Sequence, residues 1–184
     1  SLRTCRKPPR DAVTDPAAFP VPSLATLRAG QEDGPITTST EIAPGIALHA
    51  DPAAGAGGRW VSPAGRLLEI AVSAPPEGKW TALHLRLEAP DLAACDWLGL
   101  ICRSAAPGEV MVRPCLRSGQ AEGFSDCFFP RHLLSTAEPM SHSDALHIPS
   151  TPAIPERAPW RELVLFLPGG DVTWHLHDLR LVLL

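Results

Sequence analysis

Three observations on the 184-residue sequence predict an all-β protein, an antiparallel β-sandwich. Apolar residues alternate with a period of two in several short runs. Pro and Gly, at 21 and 14 residues, punctuate the chain between those runs. No stretch carries the 3.6-residue period of a long amphipathic helix. Half-buried sheets hide their apolar faces by covering one another, so short, evenly spaced strands imply two packed sheets.

The elements follow in order. Residues 1–40 hold Arg3, Arg6, Lys7, Arg10 and a series of prolines, and they read as an extended Pro/Arg-rich arm or linker. Within it, residues 24–28 have room for one helical turn. Residues 41–184 read as the sandwich domain. Strands are expected at 46–50, 67–72, 80–88, 97–103, 110–117, 124–129, 146–148, 163–167 and 172–184. The clearest is 80–88, where Leu83, Leu85 and Leu87 alternate with Trp80, Ala82, His84 and Arg86. In 110–117, Val110, Val112 and Leu116 oppose Met111, Arg113, Cys115 and Arg117. Residues 53–58 read as a Gly-rich loop, 131–135 as a helical turn, and 136–160 as a long, proline-stiffened excursion. Pro168-Gly169-Gly170-Asp171 reads as a hairpin turn between the last two strands.

Composition excludes several function classes. A net charge of -4 argues against a general nucleic-acid binder. No apolar run reaches membrane-spanning length, and no charged start followed by an apolar stretch signals a leader peptide. Five cysteines without a C-x-x-C pair are expected to be reduced. Cys102 shares a face with Leu98 and Leu100 and is expected to be buried, whereas Cys5 in the arm should react first. Nucleotide-binding, serine-hydrolase and zinc-protease motifs are absent. His175 and His177 share a strand face in ligand-like spacing, but two imidazoles are not a metal site, and no catalytic metal is expected. The pairs Glu156/Glu162 and Asp126/Asp144 suit glycoside hydrolysis only if the fold sets them about 5–10 Å apart.

The polar faces of the strands are more informative. Trp80, His84 and Arg86 lie on one side of a strand whose other side is a row of leucines. Arg113 and Arg117 share a face, as do His175 and His177. An indole with guanidinium and imidazole donors has the composition of a polar-ligand platform. The ring stacks on apolar faces, and the donors make directed hydrogen bonds to hydroxyls or carboxylates. The alternative is that the N-terminal arm covers Trp80 and the arginines pair with Asp or Glu.

A resemblance is carried by residues 80–87 (WTALHLRL), 97–100 (WLGL), 160–165 (WRELVL) and 172–181 (VTWHLHDLRL). Their order is similar to that of jelly-roll β-sandwiches of the galactose-binding-like and carbohydrate-binding-module type, over residues 42–184. The resemblance implies a jelly-roll fold and a glycan ligand, and leaves room for a structural calcium held by Asp and backbone oxygens. The chain departs from that type in lacking Tyr and Asn, which glycan sites often use.

Three function classes follow. The first is a non-catalytic carbohydrate-binding module within a larger enzyme or surface assembly, with ligand-binding candidates Trp80, His84, Arg86, Arg113, Arg117, His175 and His177. The second is a structural or protein-interaction module whose Trp/Arg face docks a partner protein. The third is a glycan- or ester-directed hydrolase.

Overall fold

In a computed structural model, which describes residues 21–75 and 78–184, the chain is a jelly-roll β-sandwich of two antiparallel sheets. The basic start of the expected arm and Cys5 lie outside the described residues. A short helix α1 (Ser23–Ala29) follows, with Leu24 and Leu27 buried one turn apart. The strands are β1 (Asp33–Pro35), β2 (Ser39–Ala43), β3 (Ile46–Ala50), β4 (Gly57–Val61), β5 (Leu68–Ser73), β6 (Thr81–Leu87), β7 (Trp97–Ala105), β8 (Val110–Gly119), β9 (Phe124–Phe128), β10 (Leu133–Ser135), β11 (Met140–His147), β12 (Arg161–Leu167) and β13 (Val172–Leu183). One sheet runs β1-β4-β5-β13-β7-β11. The other runs β10-β8-β12-β6-β3-β2, with β9 also paired to β8. No helix among the described residues is long and apolar enough to cross a membrane.

The core lies between the sheets and is built from the alternation seen in the sequence. Leu83, Leu85 and Leu87 of β6 face Leu98, Leu100 and Cys102 of β7 and Leu176, Leu179 and Leu181 of β13 in one apolar cluster. One polar link crosses this layer. The buried Trp174 donates from Nε1 to Ser135 Oγ at 2.9 Å, and Ser135 Oγ lies 2.7 Å from Ser104 Oγ. Both hydroxyls and the indole N–H are thereby satisfied away from water.

Four local readings are corrected. Residues 168–171 do not close a hairpin, because β12 and β13 lie in different sheets and the turn crosses between them. Gly57 and Gly58, expected in the Gly-rich loop, open β4. Gly58 has φ 126, and a Cβ there would collide with the Ala71 carbonyl, so glycine is what lets β4 pair closely with β5. Residues 133–135 pair with β8 as β10 rather than forming a helical turn. The stretch 136–160 contains the eight-residue strand β11, against which only 146–148 was expected to be extended. Its sequence is polar on both faces, which hid the strand signal. His142 Nε2 donates to the Leu134 carbonyl at 2.7 Å, and Asp144 accepts from the Arg131 N–H at 2.7 Å, so these polar groups tie β11 to its neighbours.

The rest of that stretch is fastened by Arg161, a side chain with 0% exposure. It donates to the carbonyls of Ala89 (2.9 Å), Pro155 (2.6 Å) and Glu156 (3.0 Å) and to Ser118 Oγ (2.7 Å). No described carboxylate pairs with it. Burial lowers its pKa, and the charge of Asp91 partly offsets this. Arg161→Leu strands three carbonyls and a hydroxyl and should cost about 3–5 kcal/mol of folding free energy. Urea denaturation of the two proteins measures it.

Cys95, Cys102, Cys115 and Cys127 are free thiols. Burial pushes the thiols of Cys102 and Cys115 up to about 12. Both should resist a disulfide reagent at pH 8 in the native protein and react at once in denaturant.

Candidate functional site

The strands β9, β8, β12, β6, β3 and β2 turn one set of side chains inward, and their alternate residues form the outer face of the sheet. Registers place those residues in rows across the strands, spaced about 4.8 Å apart. One row reads Asp126, Arg117, Glu162, Arg86. The next reads Phe128, Cys115, Val164, His84, Ala47, Glu41. A third reads Arg113, Phe166, Ala82, His49, Ser39. The structure thus brings His84, Arg86, Arg113 and Arg117 onto one continuous surface. Trp80 immediately precedes β6, in step with His84 and Arg86, and is 36% exposed.

His175 and His177 lie in the other sheet, on β13. The register of β13 against β7 shifts between Leu176 and Asp178, so His177 is the extra residue of a bulge. Asp178, expected on the opposite face in a regular strand, bonds Arg28 Nη2 at 2.7 Å and Arg180 Nε at 2.9 Å, and so anchors α1. His177 Nε2 is buried without a hydrogen-bond partner among the described residues. Burial, followed by the charges of Arg66, His175 and Arg103, lowers the His177 pKa. Among the described residues no three His, Cys, Asp or Glu side chains gather as metal ligands.

The electrostatics of the outer face are ordered. Arg117 grips Asp126 with two hydrogen bonds, Nε to Oδ1 at 2.7 Å and Nη2 to Oδ2 at 2.8 Å. That pairing raises the Arg117 pKa. The same guanidinium lies 3.8 Å from the centre of the Phe124 ring and 5.9 Å from that of Phe166. Arg113 lies 4.4 Å from the centre of the Phe128 ring. His84 Nδ1 is 2.8 Å from Glu162 Oε2 and donates to it. The His84 and His49 rings meet edge to face at 4.8 Å, and His49 Nδ1 is 3.0 Å from Ser39 Oγ. Burial, then the charge of His84, lowers the His49 pKa.

Sequence reading did not single out Phe124, Phe128, Phe166, Trp160, Asp126 and Glu162 as members of this face. Their signal was present in the alternation. Glu162 and Phe166 fall out of step with the inward Leu163, Leu165 and Leu167. Phe124, Asp126 and Phe128 share one parity in β9. Trp160 had a tertiary cause that no local pattern shows. Its indole covers the backbone at Gly119, where a Cβ would collide with it.

No protein-family model matches the chain, and no curated protein matches it. Among solved structures it is similar to the family 11 carbohydrate-binding module of a cellulosomal cellulase of Clostridium thermocellum, at 9% identity and a TM-score of 0.54, covering 84% of this chain and 96% of that one. A CBM22 xylan-binding domain from Paenibacillus barcinonensis gives 8% identity and a TM-score of 0.45 over 84% of this chain and 96% of that one. The N-terminal cellulose-binding domain of a Cellulomonas fimi β-1,4-glucanase gives 19% identity and 0.46 over 82% and 89%. The first of these supports the fold assignment: this chain is a jelly-roll β-sandwich, the fold it shares with that module.

Glu162 supplies a pH test of the surface. Its pKa lies below the ordinary Glu value because His84 hydrogen-bonds it, with further help from Arg117 and Arg86 and against the opposing effect of burial. A carboxylate with a depressed folded pKa adds stability above its unfolded pKa and loses it as pH falls through the folded one. Glu162→Gln should therefore be less stable than wild type at pH 7, by up to about 1 kcal/mol for a pair this exposed. Urea midpoints should show the gap closing as pH drops below the usual Glu range.

Proposed function

We propose that the chain is a non-catalytic carbohydrate-binding module whose ligand lies on the outer face of the β9-β8-β12-β6-β3-β2 sheet. One observation carries the reading: an outer sheet face, buried at Ala82, Cys115 and Val164 but open at Arg86, Arg113, Phe124 and Phe128, combines aromatic rings with guanidinium and imidazole groups in register. Such a face gives a sugar both things it requires. Rings such as Trp80 cover its apolar C–H surfaces, and rigid N–H donors meet its hydroxyls. The fold supports the reading. The solved structure with the same sandwich at a TM-score of 0.54 is a carbohydrate-binding module.

His84, Arg86, Arg113 and Arg117 are the polar contacts in this proposal, with Trp80 at its border. His84 is held by Glu162, and Arg117 by Asp126, so both side chains are fixed in place, leaving the His84 Nε2 and the Arg117 Nη1 hydrogens to meet a ligand. Preorganised donors reduce the entropy lost on binding. His175 and His177 face away on the other sheet and are left outside the site.

The test is affinity electrophoresis against a panel of soluble polysaccharides, with sedimentation of the free protein beside it. Retardation by at least one glycan is expected. Trp80→Ala should lose about 1–3 kcal/mol of binding while its melting temperature changes little. A protein that ignores every glycan and self-associates with concentration overturns the reading in favour of a protein-interaction module.

A further inference from the structure

Two arginines on the outer face are built alike and finished differently. In each, a β8 guanidinium lies over a β9 phenyl ring: Arg117 over Phe124 at 3.8 Å and Arg113 over Phe128 at 4.4 Å. Arg117 is completed by a carboxylate, since Asp126 takes its Nε and Nη2 hydrogens at 2.7 and 2.8 Å. Arg113 has no such partner and makes no hydrogen bond or ion pair among the described residues.

The register explains the difference. Arg117 faces Asp126, and Cys115 faces Phe128. The pairing runs on through the Phe129 N–H to the Pro114 carbonyl at 3.0 Å. The residue pairs of β8 with β9 end at Phe128 and those of β8 with β10 begin at Leu133, so Arg113 lies beside the connecting residues 129–132, a Phe-Pro-Arg-His segment without a carboxylate. Across the other edge of β8, the row from Arg113 runs through Phe166, Ala82, His49 and Ser39 and carries no acid. Arg113 is exposed, with its guanidinium carbon 4.4 Å from the centre of the Phe128 ring.

We infer that Arg113, seated on Phe128, is a carboxylate-binding subsite, and that the ligand of the proposed glycan surface is an acidic glycan bearing uronic acid groups. The inference rests on the glycan-binding reading and narrows it. A guanidinium seated over a ring, with no partner taking its N–H groups, keeps them for a planar carboxylate, which it meets with two parallel hydrogen bonds. The Arg117–Asp126 pair shows the same stack accepting a carboxylate within the protein. A neutral glucan offers hydroxyls alone and cannot match that fork. The lack of Tyr and Asn on this chain agrees, because arginines then carry the polar recognition.

The experiment is calorimetric titration of the full chain with polygalacturonate and with its fully methyl-esterified form, alongside mixed-linkage β-glucan and a sulfated galactan. Wild type should prefer the free acid to its ester by about tenfold or more, as expected for a charge-assisted bidentate contact. Added salt should weaken that preference. Arg113→Gln should bind acid and ester alike, and Arg113→Lys should recover only part of the preference. Both variants should melt within a few degrees of wild type, because the side chain is exposed. Equal affinity for acid, ester and neutral glucan overturns the carboxylate subsite and leaves glycan binding standing. Equal binding of the sulfated glycan, retained by Arg113→Lys, overturns it in favour of simple charge attraction. Binding to none of the four, where the wider panel does find a glycan ligand, also overturns it; failure on both overturns the glycan reading as well.

Discussion

A single buried guanidinium ties together the parts of this molecule that matter most. Arg161 opens β12, the strand that separates β6 from β8. Its charge is sealed from water with no ion-pair partner among the described residues, a situation that is costly unless every donor finds an acceptor. The acceptors come from the chain before β6's exit loop closes, from β8, and from the segment leading into β12: Ala89, Ser118, Pro155 and Glu156. Satisfying one side chain therefore fixes three stretches of chain at once. The proline-rich segment before β12 is held down by its own carbonyls, and β12 cannot slide without breaking the set.

That constraint sets the chemistry of the outer face. With β12 locked between its neighbours, Glu162 stands between Arg117 and Arg86, and Phe166 stands beside Arg113. A slip of one residue would carry Glu162 and Phe166 into the core and bring Leu163 and Leu165 to the surface, which burial of leucine forbids. The charge order Asp126, Arg117, Glu162, Arg86 is thus a consequence of core packing on the opposite side of the same strands. Alternating signs let neighbouring side chains hold one another in fixed rotamers, which is the preorganisation the proposed binding surface would need.

The two sheets have different outer faces. The β9-β8-β12-β6-β3-β2 sheet carries rings and arginines in register. The β1-β4-β5-β13-β7-β11 sheet is interrupted on β13 by a bulge at His177, and Asp178 beside it is committed to Arg28 of the helix that leads into the sandwich. Its polar groups serve the attachment of α1. A pair of histidines in ligand-like spacing is therefore not by itself a guide to the working face, whereas a row of arginines seated on phenylalanines is a more specific arrangement.

Sequence alone determined which residues share a side. The period of two is a local property of an extended chain, so His84 and Arg86 opposite three leucines, or Cys102 in step with Leu98 and Leu100, were readable without any partner strand. The sandwich itself was legible for the same reason, but the turn at residues 168–171 was not: it carries the chain from β12 in one sheet to β13 in the other instead of closing a hairpin. Strands with no apolar alternation were not: β11 hides in Ser141-His142-Ser143-Asp144, and β4 in a Gly-rich run, because their stability comes from neighbours. Tertiary structure decided which strands adjoin. It inserted residue 162 between residues 86 and 117, laid Phe124 and Phe128 beneath two arginines, and gave Asp126 to Arg117 while leaving Arg113 beside a connection that carries no acid. Pairing between segments so far apart in the chain depends on the closure of the whole sandwich, and no local pattern encodes it.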